Sequence, residues 1–387
     1  MTIHTWARRA IRCAILCAIY CTTTLLLGAC TTPYHPPQFV DAGTMFPGLI
    51  DLAAQSDGKA ADVLLVHGIC THDASWAALV VSQLMQSVTA ATTSAAAARA
   101  IEGGPRIQIV PSTVETPAGR LRFDALIWSP LTVPLKRQLC YDQTDKSSIC
   151  AGEPPYTPER ARLNARFKDG LIDDCLPEAL IYQGVARDDI QRRMRDAILQ
   201  ALSSADAAQD VLLVVISHSM GSKILFDTLL RMIEEEGESN PGAARVAQQT
   251  VDRMRFLVMA ANQIPLLSLA DQQIAAVVPG RQLTPPVPDN LQRLLQKRLA
   301  GKSRSGEDRR LTLVAFTDPN DLLSYTLQTE KYAREGITVY NILVSNAPTY
   351  LGLLERPDHA HLDYLTNPDV GRLITCGQPT SALCKRE

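Results

Sequence analysis

A largely parallel α/β sheet covered by helices on both faces is the fold class this chain predicts, and three observations carry the prediction. Short runs rich in Val, Ile and Leu recur along the chain and are apolar throughout, which is the pattern of strands buried on both faces. Stretches with apolar spacing of three and four lie between them, so strands and helices alternate. Finally, 387 residues with 46% hydrophobic and 20% charged residues suffice for one large domain, from about residue 59 to 387.

Ahead of that domain, Arg8, Arg9 and Arg12 precede 17 residues without charge, Cys13 to Ala29, ending in "LLLGAC". A basic segment followed by an apolar one is a secretory leader, and the run is shorter than the ~20 residues a membrane span prefers. Residues 31 to 48, with four Pro and little periodicity, predict an extended tether, so that 30–58 links the leader to the domain.

"ADVLLVHG" (61–68) predicts the first strand and "SWAALVVSQLMQSV" (75–88) the helix after it; the Ala-rich 89–100 fits a helix extension or a loop. "RFDALIWSP" (122–130) predicts a strand with "RIQIVPSTV" (106–114) as its hairpin arm. Residues 131–185, Pro-rich and Cys-bearing, break the rhythm and predict a cap or lid before the helix 186–202. Strand 211–217, helix 221–235 and strand 253–264 follow, then a second insertion, 266–310. Its basic run includes Lys297, Arg298, Lys302, Arg304, Arg309 and Arg310, which suits a solvated face or contact with anionic lipid. Strands at 311–321 and 337–347 and a closing helix or loop at 361–375 complete the pattern.

With 38 Lys and Arg against 40 Asp and Glu the net charge of −2 provides no electrostatic drive toward nucleic acid, and no phosphate loop or G-x-G-x-x-G turn occurs. Ten Cys fall to six when the leader's three and Cys30 are set aside. An even number in an oxidising compartment predicts disulfides, and the close spacings suggest Cys140 with Cys150 and Cys376 with Cys384, leaving Cys70 with Cys175. No C-x-x-C or H-x-x-x-H spacing calls for zinc, and no cofactor is expected.

The chemistry concentrates in "VLLVVISHSMGSKILFDTLL" (211–230). An apolar strand stops at small residues and feeds a helix, a turn that can hold the Ser219 side chain out into a cleft. A serine hydroxyl attacks a carbonyl only if a base takes its proton, an acid orients the base and N–H groups receive the oxyanion. "SHSMG" (217–221) resembles the G-x-S-x-G elbow of the α/β-hydrolase superfamily, with Ser217 in place of the first Gly. That resemblance extends over residues 60–375 in order of elements. It implies an α/β-hydrolase fold with a cap insertion and hydrolysis of carboxylic esters, an acyl lipid being one substrate class.

It also assigns roles. The oxyanion donors would be the N–H groups of Met220 and, after the His67-Gly68 pair, Ile69. The family order Ser, acid, His leaves only His359 and His361 as bases, both in a loop expected after the final strand. "HLDY" (361–364) resembles the H-x-x-Y pattern of related bacterial hydrolases and favours His361, and the register of "TDPNDLLSY" favours Asp321 over Asp318, which is well suited to capping a turn. "LLLGAC" resembles the lipobox of bacterial lipoproteins, which implies acylation of Cys30 and a lipid-anchored protein of the cell envelope, facing the periplasm from the outer membrane. The rival expectation is an envelope lipoprotein that uses the same fold to bind or scaffold without catalysis.

Overall fold

The computed structural model describes residues 30–385 except 57, 96–105, 145, 146, 148, 153, 157, 203–210, 236, 238, 275, 276, 279, 280, 283–286 and 301–309. The leader expected over 1–29 lies outside these residues, as do Lys302, Arg304 and Arg309 of the basic run.

Nine strands form the central sheet: β1 (Gln38–Phe39), β2 (Ala60–Val66), β3 (Thr92–Ala95), β4 (Gln108–Thr116), β5 (Gly119–Ile127), β6 (Leu212–His218), β7 (Met254–Ala260), β8 (Leu311–Thr317) and β9 (Ile337–Leu343). Their spatial order is β1-β9-β8-β7-β6-β2-β5-β4-β3. The six central strands from β9 to β5 are parallel, and β1, β3 and β4 pair antiparallel at the two edges. The principal helices are α1 (Leu49–Gln55), α2 (Ala74–Met85), α3 (Arg187–Leu202), α4 (Gly221–Glu234), α5 (Pro241–Arg253), α6 (Asn290–Ala300), α7 (Pro357–Leu362) and α8 (Pro368–Cys376).

Alternation along each strand divides the core in two. Leu64, Val66, Val215, Leu257, Met259 and Leu313 pack with residues of α3 to α6 on one face. Val63, Leu65, Val214, Ile216, Phe256 and Phe316 pack with α1, α2 and α8 on the other. Both faces are buried under helices, which is why the strands read as continuous apolar runs.

Several expectations are corrected. The Ala-rich stretch is neither helix nor loop at 92–95: it is edge strand β3, paired with Ser112–Glu115. The segment 30–58 is attached to the domain along its length. Cys30 and Thr31 pair with Tyr350 and Thr349, β1 pairs with β9, and α1 buries Leu49, Ile50, Leu52 and Ala53. The strand partners lie some 300 residues away, so no local pattern could announce them. The second insertion, 266–310, includes α6, which bridges the parallel neighbours β7 and β8 as an ordinary crossover helix. Within its basic run Lys297 pairs with Glu234, and Arg298 is buried, donating to Asp252 O at 3.0 Å beside the C-terminal end of α5.

The first insertion, 131–185, is mostly short helical turns. Disulfides join Cys140 to Cys150 within it, Cys175 to Cys70 in the loop after β2, and Cys376 to Cys384 near the C-terminus.

Candidate active site

The order β6-β2-β5 places a switch point at β2, since the chain continues to β5 on one side and to β6 on the other; in α/β sheets ligands bind beyond the carboxyl ends of the strands at such a point. The residues singled out in the sequence come from those strand ends. Ser219 follows β6, Gly68 and Ile69 follow β2, Asp318 and Asp321 follow β8, and His361 lies beyond β9 on α7. The two candidate histidines were expected in a loop. They sit instead on a short helix begun by Pro357 at its first turn, a favoured place for proline.

Ser219 has φ of +53°, the left-handed conformation that a bulky side chain resists, and its N–H donates to Ala260 O at 2.8 Å. This sharp turn demands close approach. A methyl group on Gly221 would lie 2.3 Å from His67 O, and one on Gly68 would lie 2.5 Å from Ser219 Cβ, so both must lack a side chain. Ser217, where the family elbow has Gly, fits because its hydroxyl finds partners: it donates to Val258 O at 3.1 Å and accepts from Ser222 Oγ at 2.8 Å.

From the elbow a hydrogen-bonded relay runs inward. Ser219 Oγ is 3.0 Å from His361 Nε2, and His361 Nδ1 is 2.9 Å from each carboxylate oxygen of Asp321. All three side chains are buried, Ser219 with 1% exposure. Tautomer follows from the partners: the carboxylate takes the Nδ1–H, leaving Nε2 to accept from the serine hydroxyl. The two alternatives are occupied elsewhere. His359 is paired with Asp363 at 2.5 Å on the outer side of α7. Asp318 accepts from Asn320 N at 2.9 Å and Asn346 N at 2.7 Å, so it braces the turn that carries Asp321. Burial and the neighbouring Asp318 push the Glu355 carboxyl up to about 7, and burial raises Asp318 as well.

The expected donors Ile69 and Met220 come one after each of the adjacent strands β2 and β6, Met220 directly after the serine and Ile69 directly after Gly68, which lies against Ser219 Cβ. Among the described residues neither N–H has a backbone acceptor. The loop bearing Ile69 is tightly held. His67 is fully buried, and that burial pushes its pKa well below the ordinary range, so it is neutral: Nδ1–H donates to Gly68 O at 2.8 Å, and Nε2 accepts from Trp128 N at 2.8 Å. Cys70, next to Ile69, is tied by its disulfide to Cys175. Thr71 Oγ1 donates to Asp174 at 2.6 Å, and buried Lys136 donates to Thr71 Oγ1, Asp174 and Glu178 at 2.7 to 2.8 Å. Burial pushes Glu178 up to about 8.

Sequence reasoning missed this Lys136-Asp174-Glu178 cluster, because three charges in an irregular Pro-rich segment look solvated. It missed two supports of the relay as well. His218 donates from Nε2 to His361 O at 3.0 Å, fixing the backbone of the base, and burial holds it neutral. Tyr364 OH donates to Asp321 Oδ2 at 3.0 Å and accepts from Asp318 N at 2.7 Å. The H-x-x-Y spacing was the signal for Tyr364, although it did not reveal the partner. If the relay is catalytic, Tyr364→Phe, which leaves a buried Asp321 oxygen short of one donor and the Asp318 N–H short of its acceptor, should slow turnover of an ester roughly tenfold and lower the melting temperature. Steady-state rates on a soluble aryl ester, beside a thermal melt, check this.

Among the described residues no group of His, Cys, Asp or Glu is arranged to hold a metal ion. No protein-family model, curated protein or solved structure matches the chain.

Proposed function

We propose that this chain is a serine hydrolase of the α/β-hydrolase type, lipid-anchored through Cys30 in a bacterial envelope, that cleaves carboxylic esters by way of an acyl-enzyme. The observation that carries the proposal is the unbroken relay from Ser219 through His361 to Asp321, built from side chains 40 and 142 positions apart. In this reading Ser219 Oγ attacks the ester carbonyl while His361 Nε2 takes its proton. The Ile69 and Met220 N–H groups receive the negative charge that develops on the carbonyl oxygen. His361 then returns the proton to the departing alcohol, and a water activated in the same way releases the acid. Asp321 orients the ring and steadies the imidazolium throughout.

Because Ser219 is almost completely enclosed, substrate entry needs a covering segment to move. We assign that role to the insertion 131–185, which is linked beside Ile69 by the Cys70–Cys175 disulfide. Its exposed Leu135, Leu139, Leu163, Ile172, Leu176 and Leu180 favour an apolar acyl substrate.

A fluorophosphonate probe tests the reading directly, as mass spectrometry of the treated protein should find one adduct, on Ser219. The same enclosure is what a non-catalytic binding protein on this fold would display. An unlabelled protein that also fails to turn over short aryl esters is the result that would establish the scaffold in place of the enzyme.

A further inference from the structure

Residues 349–354, Thr-Tyr-Leu-Gly-Leu-Leu, lie between β9 and α7 and form a tight hairpin turn. Its two central residues, Leu351 and Gly352, both have positive φ, 54° and 65°. Leu353 N donates to Tyr350 O at 2.9 Å, and Tyr350 N to Leu354 O at 2.8 Å. Two-residue turns with this backbone favour Asn-Gly, since a branched side chain is strained in the left-handed region. Leucine at the first position therefore works against the turn. Nor does the domain bury it: Leu351 is 64% exposed, Leu353 84% and Leu354 54%. A strained, solvent-facing apolar residue at the tip of a turn implies an occupant outside the chain.

The place of the turn identifies that occupant. Cys30 pairs with Tyr350 and Thr31 with Thr349, and Thr349 Oγ1 donates to Thr31 O at 2.9 Å. The 17 uncharged residues Cys13 to Ala29 end immediately before Cys30. With that run exchanged for acyl chains on Cys30, as proposed above, or retained, the apolar phase begins beside Tyr350. We propose that the turn Tyr350–Leu354 inserts into the lipid bilayer at which residue 30 is anchored, a second contact that fixes how the domain stands on the membrane.

Five residues, Tyr350 to Leu354, are far too few to cross a membrane, so this contact is a shallow one at the surface. Because its N–H groups at 350, 353 and 354 donate within the turn itself, fewer polar groups need water when the tip enters the headgroup region. At its base Glu355 accepts from Asn320 Nδ2 at 2.8 Å and from Ala347 N at 3.1 Å, and α7 with His361 begins two residues later. Docking the turn thus brings the loop of Asp321 and the helix of His361 toward the bilayer, which suits an ester whose acyl chain lies in that bilayer. The proposal rests on the membrane attachment proposed above.

The full chain, with its native N-terminus, is reconstituted into phosphatidylethanolamine and phosphatidylglycerol vesicles and recovered by flotation. The indole introduced by Leu353→Trp should be quenched by lipids carrying a doxyl group near the headgroup, well beyond the background from the native Trp residues. Adding Leu351→Asn should reduce that quenching while leaving the melting temperature unchanged or higher, because Asn suits the turn. Leu351→Asn with Leu353→Asn should lower hydrolysis of a vesicle-borne ester roughly tenfold and spare a water-soluble one. A chain that fails to float overturns attachment and docking together. One that floats with no excess quenching of the introduced indole overturns docking alone, and absent turnover in a floating, quenched protein counts against the hydrolase and leaves docking supported.

Discussion

Replacement of Ser219 by Ala is expected to cut hydrolysis of a short aryl ester by at least ~10⁴-fold and to abolish labelling by a fluorophosphonate, with the fold retained. The magnitude follows from the way nucleophile and base act as a unit: without the hydroxyl, His361 has nothing to activate and only binding and the oxyanion donors remain. Retention of the fold follows from what the side chain does structurally. Among the described residues its hydroxyl bonds to His361 Nε2 alone, and the N–H to Ala260 O bond that holds the turn belongs to the backbone. Alanine tolerates the left-handed φ about as well as serine does. A near-normal melt with lost turnover would therefore locate the defect in chemistry. Undiminished turnover would transfer the reaction to another residue.

Asp321→Asn should cost roughly 10⁴-fold in kcat, whereas Asp318→Asn should cost far less. The carboxylate of Asp321 accepts from His361 Nδ1, from Tyr364 OH and from Leu323 N at 3.0 Å. An amide in its place can turn an NH₂ toward the ring, and His361 then keeps its proton on Nε2, the atom that must receive the one from serine. Asp318 has no such part. Its oxygens cap Asn320 N and Asn346 N, so the substitution weakens the turn, and loss of a buried acceptor costs about 1–3 kcal/mol of stability. Kinetics and melts of the two variants, run side by side, separate the roles: a steeper rate loss for Asp318→Asn would reverse the assignment.

The same contrast explains why part of the site was legible in one dimension. Ser219 was legible because the elbow is local: the strand, the small residues and the helix that impose its φ are contiguous, and steric demand at Gly221 leaves a mark in the sequence. Asp321 and His361 required the order of elements together with a short register, and they compete with Asp318 and His359 only two or three residues away. Which member of each pair turns inward depends on the direction of a turn and of a short helix. Asn320, Asn346 and Asp363 decide that through contacts that leave no periodic trace. The Lys136 cluster, His218 and Tyr364 exist as supports only after distant segments meet.

The alternation of continuous apolar runs with helical spacing was enough, by itself, to determine a parallel sheet with two covered faces, because burial on both sides removes polar residues from every strand position. Edge pairing was decided elsewhere. The partners of β1, β3 and Cys30–Thr31 are set by backbone hydrogen bonds, which any side chain except proline permits, so composition says little about them. For that reason the segment expected as a tether lies against the domain, and only the tertiary structure puts Cys30 and Thr31 beside the exposed turn that carries Leu351, Leu353 and Leu354. Local sterics and hydrophobic pattern are written along the chain, while the meeting of a hydroxyl, an imidazole and a carboxylate depends on angles between elements that only packing fixes.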